Sequence, residues 1–383
     1  MPRLADVVAV LDELYDPRWA ESWDVVGLVC GDPDNEINRV LFAVDPVSAV
    51  VDEAISIGAE LLVTHHPLFL RPVHGVAATT PKGQVVHRLL TAGIALHVVH
   101  TNADVARPGV SDALADVLGL RDLAPLDPSP AADTDKLVTF IPRADANAVI
   151  DAMAAAGAGT IGDYERCTWS TEGIGSFRPL PGARPSIGSV GTIEQVPEVR
   201  VEMVLPRSRR GAVVSALRAA HPYEEPAFDL YELATLPSQL GLGRIGQLEE
   251  PEPLRAFAAR AANALPRTAA GIRVAGDLDA LIRTVAVCGG AGDSLLDAVR
   301  ATSADCYLTA DLRHHPASEA LQQRGPALVD AAHWATEWPW LRDAASRVVT
   351  TLREAGTTVE ARVSQIVTDP WTLQVPTPTR SPS

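Results

Sequence analysis

The chain has 383 residues, 47% of them hydrophobic and 21% charged, which is enough for two or three domains with sizeable cores. Its formal net charge of −16 excludes a general nucleic-acid binder, which needs a basic face to displace counterions; a local basic patch for a phosphorylated small molecule stays open. The cysteines Cys30, Cys167, Cys288 and Cys306 are scattered without a C-x-x-C pair, so neither a disulfide framework nor a thiolate zinc site is expected.

Leu4, Val7, Val8, Leu11 and Leu14 recur at helical spacing, so the chain is expected to open with a helix. That segment carries acids and lacks the apolar core and cleavage site of a signal peptide. With no run of about 18 apolar residues, no membrane span and a cytoplasmic location are expected. Short apolar runs follow at Val40–Val44, Leu61–Val63 and Ala95–Val99, with helices expected over Val47–Ile57 and Lys82–Leu90. Such alternation predicts parallel βαβ units with right-handed crossovers.

Two stretches read as linkers: Asp127–Asp135, rich in Pro, Ala and Asp, and Thr235–Gly246, rich in Gly, Pro and Leu. Between them the chain repeats at an offset of 64 residues, TFIPRADANAVIDAMAAAG (Thr139–Gly157) against MVLPRSRRGAVVSALRAAH (Met203–His221). Each copy reads as a strand, a Pro-Arg turn and a helix, which predicts a ferredoxin-like α+β domain over residues 134–246. A fainter repeat aligns DEAISIGAELLVT (Asp52–Thr64) with DAVRATSADCYLT (Asp297–Thr309). Both lead to a His-His-Pro, at His65-His66-Pro67 and His314-His315-Pro316. The segments 1–126 and 247–375 therefore read as two related α/β halves of one domain, with the ferredoxin-like segment inserted between them. The tail 376–383, PTPTRSPS, is predicted to be disordered.

Three predicted strand exits carry potential metal ligands: His65 and His66 after Leu61–Val63, His100 and Asp104 after Ala95–Val99, and His333 and Glu337 after Ala327–Val329. In open parallel sheets, sites form at the carboxyl ends of strands, so these groups would gather on one edge. Imidazoles mixed with carboxylates suit zinc, iron, manganese or nickel and disfavour calcium. A carboxylate can bridge two cations that activate a shared water. The plainer reading makes His65-His66 a surface or core pair and Asp104 a turn cap. Pro339 fits the first turn of a helix and Trp338 is restricted before it, which places His333 in the loop entering that helix.

Other features carry two readings each. CGGAGDS (Cys288–Ser294), after an expected strand at Thr284–Val287, is either an anion-holding or merely a tight strand-to-helix turn. HPYEEP sets Glu224 and Glu225 near His221 and reads as structural or as a metal site. Trp334, Trp338 and Trp340 either wall the proposed site or fill the core, and Arg313 either meets a phosphate or is solvated.

The stretches SWDVVGLVCG (Ser22–Gly31), VTHHPLF (Val63–Phe69), HTNAD (His100–Asp104), CGGAGDSLLDA (Cys288–Ala298), LTADLRHH (Leu308–His315) and DAAHWATE (Asp330–Glu337) occur in order. Together they resemble the GTP cyclohydrolase I type 2 homologue family, the YbgI-like dinuclear-metal proteins. The middle segment, with AHPYEEPAFDLYEL (Ala220–Leu233), is similar to the PII/CutA-like insert of longer members. The resemblance implies two divalent metal ions on His65, His66, Asp104, His333 and Glu337, with Glu337 bridging and His100 lining the site. It also implies a toroidal homohexamer and hydrolysis of GTP or another nucleotide, opening the guanine ring at C8 with loss of formate. A hydrolase of another substrate (nucleotide, amide or phosphoester), or a metal-binding or metal-chaperone assembly with a sensory insert, is the alternative. Val25, Ala310, His314 and Ala332 depart from the family pattern without removing a ligand.

Overall fold

A computed structural model describes residues 1–130 and 133–375; the tail predicted to be disordered lies outside them. In chain order the elements are α1 (Leu4–Leu14), β1 (Gly27–Cys30), β2 (Arg39–Ala43), α2 (Ser48–Ile57), β3 (Leu61–Thr64), α3 (Pro81–Thr91), β4 (Ala95–Val98), α4 (Thr101–Val105), α5 (Val110–Val117) and β5 (Arg121–Pro130). Then come β6 (Thr134–Pro142), α6 (Ala146–Ala155), β7 (Trp169–Phe177), β8 (Glu194–Pro206), α7 (Arg210–Ala220) and β9 (Phe228–Glu232). The chain continues with β10 (Pro237–Pro253), α8 (Leu254–Ala264), β11 (Arg273–Ala275), β12 (Leu281–Ala291), α9 (Leu296–Arg300), β13 (Cys306–Ala310), α10 (His314–Gln322), β14 (Ala327–Ala331), α11 (His333–Glu354) and β15 (Glu360–Val363). Among the described residues no helix is long and apolar enough to cross a membrane.

The chain divides into two compact units. One comprises Met1–Ser129 and the chain from Gln239 onward; the other is Pro130–Ser238. The first unit holds two sheets, ordered β1-β4-β3-β2-β15 and β11-β14-β13-β12-β10-β5. Each has a parallel trio at its heart, β2-β3-β4 and β12-β13-β14, whose central strands β3 and β13 end the two copies of the fainter repeat.

Strand periodicity explains the layering. In β2, Val40 and Phe42 face a large core between the sheets, whereas Leu41 and Ala43 face α2 and α3. In β12, Val285 and Val287 face the same large core and Ala286 and Cys288 face the opposite side. Helices α1, α5 and α11 fill the space between the sheets, and each Leu or Val fully buried there contributes roughly 1.5–3 kcal/mol.

Two expectations are corrected. Both linker stretches hold the boundaries between the two units, but among the described residues they are largely extended rather than irregular: Asp127–Pro130 lies in β5, Thr134–Asp135 in β6, and most of Thr235–Gly246 in β10, which neighbours β5 in the sheet. Pairing of the two backbones overrides the turn-like composition. Nor does a helix begin at Pro339, because α11 starts at His333 and carries Pro339 inside it. Proline there removes one backbone donor and costs about 3 kcal/mol, which burial of Trp334, Trp338, Trp340, Leu341 and Val348 between the sheets outweighs.

The second unit is one antiparallel sheet, β7-β8-β6-β9, in the chain order βαββαβ. The copies of the longer repeat fold as β6 with α6 and β8 with α7, and their strands pair at Thr139 and Val201. One sheet face packs on both helices through Leu137, Ile141, Val201 and Met203.

Candidate metal centre

Three strand exits meet at one edge of the first unit. The backbone N–H groups of His65 and His66 still donate to Ala43 and Val44 (3.1 and 2.8 Å), so both residues leave β3 on a fixed path. Asp104 sits on the short helix α4 after β4, and His333 opens α11 after β14. Glu337, one helical turn on, is almost wholly buried. Its Oε1 lies 2.9 Å from His333 Nε2 and 3.4 Å from His65 Nε2, and its Oε2 lies 3.1 Å from His66 Nε2. Asp104 Oδ1 is 3.8 Å from His65 Nε2. All five residues singled out as ligands thus converge, and His100 joins them, with a donor atom within 4.8 Å of those of His65 and His66.

The far nitrogen of each imidazole is engaged. His65 Nδ1 donates to Val99 O (3.0 Å), His66 Nδ1 to Asp45 (2.7 Å), His333 Nδ1 to Asp311 (2.7 Å) and His100 Nδ1 to Asp24 (3.0 Å). A proton fixed on Nδ1 leaves the Nε2 lone pair of His65, His66 and His333 facing the cluster. Asp24, Asp45 and Asp311 were not singled out in the sequence, although Asp24 and Asp311 lie inside motifs that carry the resemblance.

This arrangement demands positive charge. His66 and His333 present Nε2 to Nε2 at 3.2 Å, and His65 Nε2 and Glu337 Oε2 are buried without a hydrogen-bond partner. Burial pushes His333 down, but Glu337 and Asp311 outweigh it and raise its pKa to about 10. Burial likewise opposes ionisation of Glu337, yet the facing imidazoles hold its carboxyl well below the usual range. Orphaned nitrogen and oxygen atoms around one buried carboxylate, of a donor type that borderline cations prefer, fit a divalent metal.

The Cys288–Ser294 turn supports this cluster, and the N–H groups of its first two glycines are not free for an anion. The N–H groups of Gly289 and Gly290 are taken by Ser111 Oγ (3.3 Å) and Thr336 Oγ1 (2.9 Å), and a Cβ on Gly290 would stand 2.5 Å from Glu337 Oε1. The helix after it, α9, is a five-residue turn. Trp340 belongs to the core, its indole N–H donating to Tyr15 at 3.2 Å while its ring stands 5.4 Å from that of His65. His314 and His315 are exposed at the start of α10, and Arg313 pairs with Asp293. In HPYEEP both His221 nitrogens are used, by Phe140 O and by the Tyr223 N–H, which leaves none for a metal.

A cavity of about 550 Å³ adjoins the cluster, lined by His66, His333, Asp311, Asp330, Trp334 and Trp371 among others. Arg273, on the same wall, is held by Asp330.

The profile of the Duf34/NIF3 (NGG1p interacting factor 3) family matches residues 2–370. The chain is 56% identical over 373 residues to a Mycobacterium tuberculosis protein named GTP cyclohydrolase 1 type 2 homolog, with 97% of each chain covered. A Streptomyces coelicolor protein of the same name is 42% identical, covering 98% of this chain and 95% of its own. Among solved structures, a Bacillus cereus protein related to NIF3 superposes with a TM-score of 0.74 at 35% identity, covering 97% of this chain and 99% of that one. Protein SA1388 of Staphylococcus aureus does so with a TM-score of 0.83 at 28% identity and the same coverage. The six motifs and the whole-chain matches agree: the chain belongs to the Duf34/NIF3 family.

Proposed function

We propose that the protein is a metal-dependent hydrolase whose divalent ions are held by His65, His66, Asp104, His333 and Glu337. The observation that carries this reading is the buried Glu337 carboxylate, faced by the Nε2 atoms of three imidazoles whose Nδ1 atoms are already engaged. Bound there, the ions supply Lewis acidity and lower the pKa of water.

The chain's own residues do the rest. Asp45 and Asp311 orient His66 and His333, and the Gly289-Gly290 backbone lets Glu337 lie close. His100, oriented by Asp24 and edge-on to Trp23, is placed to hold or move a proton beside the ligand set. The 550 Å³ cavity receives the substrate, with Trp334 and Trp371 as its aromatic wall. The relatives' name points to a purine nucleotide, GTP. The cavity favours a second reading, a less anionic substrate, because Asp45, Asp311, Asp330 and Asp369 line it and Arg273 is spent on Asp330. A toroidal hexamer and a PII/CutA-like kinship of the second unit belong to the same proposal; the βαββαβ order supports the kinship.

The test measures metal content and formate release from GTP side by side in wild type and Glu337→Gln. Wild type should hold metal and turn over, and the variant should lose at least one ion together with activity. Full occupancy and full turnover in the variant would sink the bridging role. Hydrolysis of other substrates without formate release would establish the second reading.

A further inference from the structure

We infer that the second unit holds a binding site for an organic ammonium ion with an apolar body, in a cavity formed by β7, residues 179–187 and the Tyr223-Glu224-Glu225 turn. The inference is independent of the metal centre. The cavity measures about 620 Å³, within the range of small-molecule sites. It lies on the sheet face opposite α6 and α7: in β8, Val199 and Val201 point to the helices, so Glu198 and Arg200 point into the cavity.

Its walls are aromatic and aliphatic, with Phe140, Phe177, Tyr223, Ile174 and Ile187 among the lining. Its charge is negative. Glu198 is only 9% exposed, and Tyr223 Oη donates to its Oε1 at 2.8 Å. Gly175 makes room for that carboxylate, since a Cβ there would stand 2.0 Å from Glu198 Oε2. Glu224 and Glu225 line the rim, together with Glu172, which pairs with Arg143 at 3.1 Å. Among the described residues the cavity's Arg or Lys is Arg200, and its guanidinium is committed to Glu202 at 3.0 Å.

A desolvated carboxylate beneath aromatic faces attracts a cation twice, through its charge and through the ring quadrupoles, and repels an anion. An apolar body on the ligand fills the remaining wall. HPYEEP thereby gains a role that its satisfied histidine left unexplained: it carries an aromatic wall and two of the rim carboxylates.

The experiment titrates the full-length protein by calorimetry with three probes that share a benzyl group: benzyltrimethylammonium, benzyl alcohol and phenylacetate. The cation should bind about tenfold more tightly than the alcohol, and phenylacetate should not bind detectably. Glu198→Gln should weaken the cation about tenfold and leave the alcohol unchanged, with the circular-dichroism spectrum and metal content of wild type. If that variant misfolds, Glu225→Gln on the exposed rim serves instead, with a few-fold loss expected. No binding of the cation at about 10 mM, equal affinity for the three probes, or indifference of the cation to both substitutions would overturn the proposal.

Discussion

Each imidazole of the cluster is a two-ended device: one nitrogen faces the centre and the other is tied to a carbonyl or carboxylate. The tie decides the tautomer, so the outer carboxylates control the inner lone pairs. Asp311→Ala should therefore lower metal affinity about 10–100-fold without removing a ligand, read by competition with a chromophoric chelator. Affinity equal to wild type would show that His333 needs no second partner. The inner residues were legible because strand exits concentrate them in the sequence. Asp45 follows β2 and Asp311 follows β13, so the same rule, applied to every strand rather than to histidines alone, would have found them. Asp24 obeys no such rule. It precedes β1, which runs antiparallel to β4, and it meets His100 only because those strands pair.

Strand β10 shows why composition misled at the scale of elements. Its Gly- and Leu-rich start suggests a flexible connection, yet it carries Arg244, wholly buried. The guanidinium donates to Gly241 O and Gly243 O (both 2.7 Å) and to Ala106 O, and it pairs with Asp112 of α5 at 2.7 Å. Asp112 also accepts from the Gly109 N–H at 2.8 Å, at the start of its helix. Strand, helix and loop are thus clamped by one charge pair. Removing only the acid strands a buried cation, so Asp112→Ala should cost about 3–5 kcal/mol in urea unfolding. Adding Arg244→Met should recover only part of that loss, because an apolar side chain needs no counter-charge but leaves the Ala106, Gly241 and Gly243 carbonyls without their donor. A single-variant loss below about 1 kcal/mol would mean that the carbonyls alone satisfy the arginine. Sequence periodicity showed α1, β2, α2, β3, α3 and β4 but missed β1, α4 and α5, and it could not show this clamp, whose charged members are separated by more than a hundred residues. Pro339 misled in the opposite direction: a local rule delayed to Pro339 the start of a helix that, packed between the two sheets, already begins at His333.

At the scale of the whole molecule, the repeats were the legible part. A period of 64 residues survives in the linear order, and so does the resemblance of the α2–β3 and α9–β13 passages. Partner choice does not: β15, near the end of the chain, completes the first sheet by pairing Glu360 to Val363 with Arg39 to Phe42, and no local pattern announces that. Burial within the same sheet, in a strand separated from β15 by two others, has a consequence for stability against acid. His97 in β4 lies between Leu28 of β1 and Val63 of β3, is 1% exposed, and has no hydrogen-bond partner for Nδ1. Burial alone pushes its pKa down to about 4, well below the usual imidazole value near 6.5. The unfolded chain therefore takes up this proton at a higher pH than the folded one. Stability from the neutral ring is complete above about pH 6.5 and falls as pH drops toward 4, by about 3 kcal/mol in all. His97→Leu has no proton to gain there. The difference in melting temperature between variant and wild type should shift in favour of the variant from pH 7.5 to pH 4.5. The metal ligands titrate in both proteins and cancel in that difference. A gap that stays constant across the range would show that His97 reaches water, or finds a partner, before the fold yields.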